Sequence, residues 1–212
     1  MERKRVLIAF VDIIGFKDWT INPSNDQENF KDLIDKVYDE FEIYIAESGC
    51  DVKLLGDGLM AIMEIKDGFN YEISGSDIRD VHNCEIAAEF LKKAYALTMK
   101  VSWIIKGFWP RPDGVRLRST AGYVWKRLVG QRHEYIGHKV NLAKLLLGVF
   151  PETLSICHGS TKEIIGDRDL GINFDRMEIP EESFRGLNDD DLSNLFSFFA
   201  EMPEKAQGDS NG

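Results

Sequence analysis

The chain has 212 residues, 43% of them hydrophobic and 29% charged, the make-up of a soluble globular protein with a real core. Its 26 basic and 36 acidic side chains leave a formal charge of −10, which argues against a general nucleic-acid binder but leaves room for a nucleotide whose phosphates are held through metal ions. No apolar run approaches the ~18 residues of a membrane span, and Cys50, Cys84 and Cys157 stand apart and odd in number, as expected in a reducing cytoplasm with no disulfide frame.

The opening MERKRVLIAFVDIIGF is basic and then apolar, like a secretion signal, yet it lacks a small-residue cleavage site and carries Asp12. Val6 to Phe16 reads instead as a strand buried on both faces, because a continuous apolar run closed by glycine fits the centre of a sheet. Asp12, a carboxylate at the end of such a strand, is expensive to desolvate unless a positive charge meets it. Thr20 to Asn25, with Pro23, is a loop, and Ser24 followed by Gln27 fits a capping box. Phe30, Leu33, Ile34, Val37, Tyr38, Phe41, Tyr44 and Ile45 then recur at helical spacing as far as Ser48 and Gly49, the clearest amphipathic helix in the chain.

From Asp51 to Ile65, two short apolar runs flank Gly56-Asp57-Gly58, a strong hairpin signal. Asp and Gly are what a tight turn wants, so the hairpin alone accounts for Asp57. Lys66 to Asp80 is a polar loop. A second helix starts near Asp80 and lines Cys84, Ala87, Ala88, Leu91, Ala94, Tyr95, Thr98 and Val101 along one face. It runs into Trp103, Ile104, Ile105, Phe108 and Trp109, bulky residues whose default place is the core, with the base pocket or a dimer interface as the alternatives, before Pro110 and Pro112 stop it. Val115 to Val129 reads as a pair of strands with Gly122 between them, Gly137 to Leu147 as a helix and Thr153 to Cys157 as a strand. Ser160 to Ile165 reads as a short helix and Phe174 to Ile179 as a further strand. The acid run Asp189, Asp190 and Asp191 reads as a helix cap with a solvated first turn, and Glu201 to Gly212 as a disordered tail. The order of elements predicts an α+β fold over residues 1–200 with a ferredoxin-like β-α-β-β-α-β core and extra C-terminal elements.

In that arrangement the first strand and the following hairpin are sheet neighbours, so Asp12 and Asp57 can converge. Two converging carboxylates without a nearby His or Cys suit hard, oxygen-loving ions, Mg²⁺ or Mn²⁺. Two such ions roughly 3.5–4 Å apart can activate an attacking oxygen and steady a leaving phosphate.

FVDIIGF at Phe10–Phe16, KLLGDGLMA at Lys53–Ala61 and YIGHKVNLA at Tyr135–Ala143 follow one another in order. Together they resemble the catalytic domain of class III nucleotidyl cyclases, and TLSICHGSTKEII and FRGL look like that family's closing strand, helix and strand. The resemblance implies that Asp12 and Asp57, with the backbone carbonyl of Ile13, hold two divalent ions. It implies that Asn141 orients the ribose, that Lys53 and Glu134 read the base edge, and that Phe16 belongs with the nucleotide-binding residues. In this family one subunit gives the metal carboxylates and the other gives Lys53, Glu134 and Asn141, so a single chain with both sets implies a homodimer with shared active sites. The implied reaction is in-line attack of the ribose 3′-hydroxyl on the α-phosphorus of a nucleoside triphosphate, with loss of pyrophosphate.

The family usually carries an arginine four residues after the asparagine, and here that position is Leu145. Lys144 is the expected stand-in, with Lys139, Arg127 and Arg132 near in sequence, although lysine lacks arginine's planar fork. Lys17, where threonine is common, is expected to face solvent, and His133 and His138 to be solvated loop histidines. One donor and one acceptor at Lys53 and Glu134 suit more than one base, so pocket size must choose among them; an ordinary surface ion pair is the other reading of these two. At the level of the whole chain the sequence looks most like the stand-alone pyrimidine cyclases of bacterial Pycsar antiphage systems. That likeness implies UTP as substrate, CTP next, and a cyclic nucleotide messenger for antiviral defence read by a separate effector protein. Adenylate cyclase activity, and an inactive cyclase-like module for nucleotide binding or dimerisation, are the alternatives.

Overall fold

Strand β1 (Glu2–Ile14) lies at the middle of the sheet, and its alternate residues Leu7, Ala9, Val11 and Ile13 belong to one core cluster while Val6, Ile8 and Phe10 belong to another on the opposite face. The computed structural model describes residues 1–21, 27–66, 81–149, 154–178 and 186–201. After β1 come α1 (Phe16–Ile21), α2 (Gln27–Ser48), β2 (Asp51–Leu54), β3 (Gly58–Ile65) and α3 (Val81–Lys106). The second half adds β4 (Gly114–Val129), β5 (Arg132–Ile136), α4 (His138–Leu145) with a 3-10 turn at Leu146–Gly148, β6 (Ser155–His158), α5 (Gly159–Ile165), β7 (Ile172–Arg176), α6 (Asp189–Leu192) and β8 (Leu195–Ala200).

The strands run in the order β2-β3-β1-β4-β6-β8-β7, with β5 paired to β4 beside that path. The first four, β2-β3-β1-β4, are the antiparallel ferredoxin-like core expected from the sequence, and β6 extends it by parallel pairing with β4. Helices α2 and α3 cover one face, burying Leu33, Val37 and Phe41 from the first and Ala87, Leu91, Ala94 and Val101 from the second. Each large apolar side chain fully buried in this way stabilises the fold by about 1.5–3 kcal/mol before entropy is counted. Helix α4 covers the other face, where Ala143 packs with Ile8, Phe10, Met60 and Tyr135.

Several sequence expectations need correction. Val115 to Val129 is not a pair of strands: it lies within β4, one strand of 16 residues paired along its length with β1, and the hairpin turn falls after Val129, where Gly130 takes φ 63°. Trp103 and Trp109 are not core residues, being 70% and 78% exposed, because α3 continues to Lys106 and turns them outward while Ile105 takes the buried position. The cap of α6 is Asn188, whose side chain accepts from the Asp191 N–H, and Asp191 itself is buried. The sequence reading also passes over α1 and β8. Ser24 of the capping box, the loop at 67–80, Ile179 and the tail from Met202 onward lie outside the described residues. Among the described residues no helix is long and apolar enough to cross a membrane, and Cys50, Cys84 and Cys157 are free thiols.

Candidate active site

The β1–β3 register sets Asp12 opposite Gly58, and the Ile13 N–H donates to the Asp57 carbonyl at 3.0 Å. Gly58 permits this approach: a Cβ there would stand 2.2 Å from the Val11 carbonyl oxygen, a separation no side chain tolerates. Glycine at 58 therefore lets the hairpin tip close on the end of β1, which brings the Asp12 and Asp57 carboxylates into each other's field. Beyond Ile14 the chain turns at Gly15, φ +72°, into α1, where Phe16 packs half-buried against Trp19 and Phe30 with ring centroids 6.3 and 6.2 Å away. Lys17 is exposed, as expected.

The positive charge that Asp12 needs comes from β4. Arg116, directly opposite it in register, donates from Nε at 2.8 Å and pairs through Nη2 at 2.7 Å, both to Oδ2 of Asp12. Burial nevertheless pushes the Asp12 carboxyl above its ordinary value; Arg116 works against that rise and Asp57 adds to it. Two carboxylates and a backbone carbonyl form an all-oxygen donor set that fits Mg²⁺ or Mn²⁺. Among the described residues no group of three or more His, Cys, Asp and Glu side chains is placed to hold a metal. The remaining ligand positions around an ion at Asp12 and Asp57 would fall to water and substrate phosphate, the usual habit of magnesium. Both Arg116 contacts fall on a single oxygen of Asp12, Oδ2.

Lys53 on β2 and Glu134 on β5 meet as an ion pair, Nζ to Oε2 at 3.1 Å and to Oε1 at 3.2 Å. They line a cleft of about 30 Å³ with Val52, Met60, Ile62 and Tyr135, room for about two waters. Behind it, the Tyr135 hydroxyl bonds to Asp51 and lies 3.1 Å from Glu64, and His133 Nδ1 lies 3.3 Å from Asp51 Oδ2. His133 is thus a strand residue with a carboxylate partner, not a loop histidine. His138 is the first residue of α4 rather than a loop residue, and its Nε2 lies 3.6 Å from Asp191 Oδ1.

Asn141 and Lys144 stand three residues apart on the exposed side of α4. Leu145 is exposed as well, at 37%, and its Cδ2 lies 3.2 Å from where a Cβ on Gly186 would stand. Of the sequence-near cations, Lys139 lays its aliphatic chain over Gly122, and Arg127 sits opposite Glu134 in the β4–β5 register. Among the described residues no hydrogen bond or ion pair joins Asp12 or Asp57 to Lys53, Glu134, Asn141 or Lys144, and none joins Asn141 or Lys144 to Lys53 or Glu134.

Sequence reasoning missed the residues of β4 that hold Asp12 and the ends of α4. Arg116, Arg118 and Thr120 alternate along β4 on the face that carries Asp12, Phe10 and Ile8 of β1. Their signal was in RLRST, polar side chains at strand spacing inside a strand otherwise apolar.

Neither the models of known protein families nor the sequences of curated proteins yield a match. Solved structures do. The adenylyl cyclase CyaB from P. aeruginosa superposes with TM-score 0.61 at 21% identity, covering 94% of each chain. The catalytic core of a rhodopsin-guanylyl cyclase with converted specificity, in complex with ATPαS, gives 0.57 at 15% identity over 94% of this chain and 98% of that one. The guanylate cyclase domain of RhGC from Catenaria anguillulae, in complex with GTP, gives 0.55 at 15% over 93% and 96%. The chain has the cyclase fold. Within the cyclase fold the extra C-terminal strands and helices are part of the superposed chain, since the match spans nearly the whole length of both partners.

Proposed function

We propose that this protein is a nucleotidyl cyclase, converting a nucleoside triphosphate to its 3′,5′-cyclic monophosphate and pyrophosphate. The observation that carries this reading is the convergence of Asp12 and Asp57 across the β1–β3 register, closed by Gly58, on a chain with the cyclase fold. Asp12, Asp57 and the Ile13 carbonyl would hold two Mg²⁺ or Mn²⁺ ions, which polarise the 3′-hydroxyl and neutralise the departing pyrophosphate. Arg116 orients Asp12 and offsets the charge of the paired carboxylates. Asn141 orients the ribose, Lys144 faces the developing phosphate charge in place of the arginine missing at Leu145, and Phe16 backs the nucleotide from α1. Positioning and electrostatic stabilisation supply most of the rate in such a displacement. The absence of a contact between Asp12 or Asp57 and Asn141, Lys53 or Glu134 among the described residues supports a homodimer in which one protomer gives the carboxylates and its partner gives the other residues.

For the base, the reading is a pyrimidine, uracil ahead of cytosine. It rests on the sequence likeness to stand-alone pyrimidine cyclases; the cleft at Lys53 and Glu134 is small and half-open to solvent. The product would then be a cyclic pyrimidine nucleotide, serving as an antiviral messenger for a separate effector in the cytoplasm. Leu145 favours a second reading, an inactive module that binds nucleotide and dimerises, because the site lacks the family's cation there. Incubating the protein with each of the four triphosphates and Mn²⁺, and identifying products by mass, tests all of these. The expected product is cyclic UMP, with less cyclic CMP. Cyclic AMP alone would overturn the pyrimidine assignment, and triphosphate binding without any cyclic product would overturn the enzyme.

A further inference from the structure

Among the described residues, the largest fully buried side chain is a charged one, Arg118 on β4. Its guanidinium is spent on backbone carbonyls: Nε donates to Leu146 at 2.9 Å, Nη2 to Val149 at 3.1 Å, and Nη1 to Leu117 at 2.9 Å and to Leu154 at 3.4 Å. Leu146 and Val149 close the 3-10 turn that ends α4. The Leu146 carbonyl also accepts from the Val149 N–H at 3.1 Å, and Val149 is the extended residue that caps the turn; a carbonyl has two lone pairs, so a buried planar cation with several N–H groups is well matched to the acceptor capacity left there. Two residues along the same strand face, Thr120, also buried, donates from Oγ1 to the Lys139 carbonyl at 2.8 Å, in the first turn of α4. Two residues the other way, Arg116 holds Asp12. One face of β4 thus fixes both ends of the helix that carries Asn141 and Lys144 and, in the same row, the carboxylate proposed to bind metal.

We propose that Arg118 is a positioning residue for the cyclase reaction: it sets the seat of α4 on the sheet, and through it the reach of Asn141 and Lys144, relative to Asp12. It is no substitute for the arginine missing at Leu145, because it is enclosed by the carbonyls it serves and does not meet substrate. The inference rests on the cyclase reading for its effect on rate, but the clamp on α4 is a property of the chain itself.

Two variants test it. Arg118→Lys keeps the charge and loses the fork; Thr120→Val removes the other clamp without touching the arginine. A displacement of the order of 1 Å in a positioning element costs about 100-fold in rate, so Arg118→Lys is expected to lower kcat about 10- to 100-fold while KM for the triphosphate stays within about threefold. Thr120→Val is expected to lower kcat in the same direction, to a smaller extent. Hydrogen exchange at residues 138–149 is expected to speed up at least about tenfold in Arg118→Lys, with exchange in α2 unchanged. Unchanged exchange at 138–149 would overturn the clamp, whether or not the parent protein makes a cyclic nucleotide. Faster exchange there with parental kcat would overturn the positioning role. If the parent protein makes no cyclic product, the cyclase reading fails, and the positioning role fails with it. Should Arg118→Lys not fold, the same readouts on Thr120→Val decide: parental exchange or parental kcat overturns the proposal, and faster exchange with lowered kcat upholds it.

Discussion

Asp12 is held by a cation that a metal ion would partly replace, and this gives residue-scale consequences. Removing one partner of a largely buried pair leaves the other charge uncompensated, at a cost of about 3 kcal/mol. Arg116→Met should therefore lower the unfolding free energy by about that amount, and Mn²⁺ should restore more stability to this variant than to the parent in urea titrations. Equal stabilisation of both by Mn²⁺ would mean that the ion does not meet Asp12. Asp57→Ala should abolish turnover while sedimentation shows an unchanged dimer; surviving activity would reduce Asp57 to a turn residue. A third consequence concerns His158, which caps α5 by accepting from the Ser160 N–H at 3.1 Å. Burial pulls its imidazole from 6.5 down to about 4, with the Lys139 charge adding to the fall and Asp191 opposing it. The folded chain thus keeps this ring neutral where the unfolded chain would protonate it, so the associated stability is present above pH 6.5 and is lost as pH falls towards 4, about 3 kcal/mol in all. In His158→Gln that part of the acid slope should disappear from unfolding free energies measured across the window; a slope as steep as the parent's would exonerate His158.

At the scale of elements, the hairpin at 56–58 and the strand β4 do most of the placing. Gly58→Ala should push β3 off Val11, so it is expected to destabilise the fold and to weaken Mn²⁺ binding together, read by thermal unfolding and by calorimetry. Much of this was legible in the sequence. An apolar run with a terminal acid told of a central strand, helical spacing gave α2 and the buried face of α3, and Gly-Asp-Gly gave the hairpin. What the sequence hid depends on pairing between distant segments. Nothing local says that Gly122 sits mid-strand in β4, because only the long β1 partner keeps that strand continuous. Nothing local says that Trp103 and Trp109 point outward, because hydrophobicity alone cannot tell which side of a helix end has a neighbour. Nothing local gives the partners of Arg116 and Arg118: one meets an acid and the other a helix end, each contributed by a segment remote in sequence.

For the whole molecule, a homodimer with shared active sites makes a quantitative demand. If each active site takes Asp12 and Asp57 from one protomer and Asn141 from its partner, then Asp57→Ala and Asn141→Ala, each inactive alone, should complement one another when mixed and allowed to exchange. Half of the dimers would be mixed, and each of those would hold one intact site, so about a quarter of the parental activity should return. No recovery after verified exchange would place each site within a single chain. The ion pair between Lys53 and Glu134 belongs to this scale too, since base entry has to part it. Exposed pairs of this kind contribute little to stability, so the pair can open without loosening β2 or β5.

The distribution of the four tryptophans makes the molecule its own optical probe. Trp103, Trp109 and Trp125 are exposed and Trp19 is buried in α1, one turn beyond the end of β1 and stacked among Phe16 and Phe30. A neutral quencher such as acrylamide, which the negative charge of the chain does not repel, should silence the three outer indoles first. The emission that remains would report on one ring in the helix that follows the Asp12 strand, packed against Phe16, so that ion and nucleotide binding could be followed without adding a label.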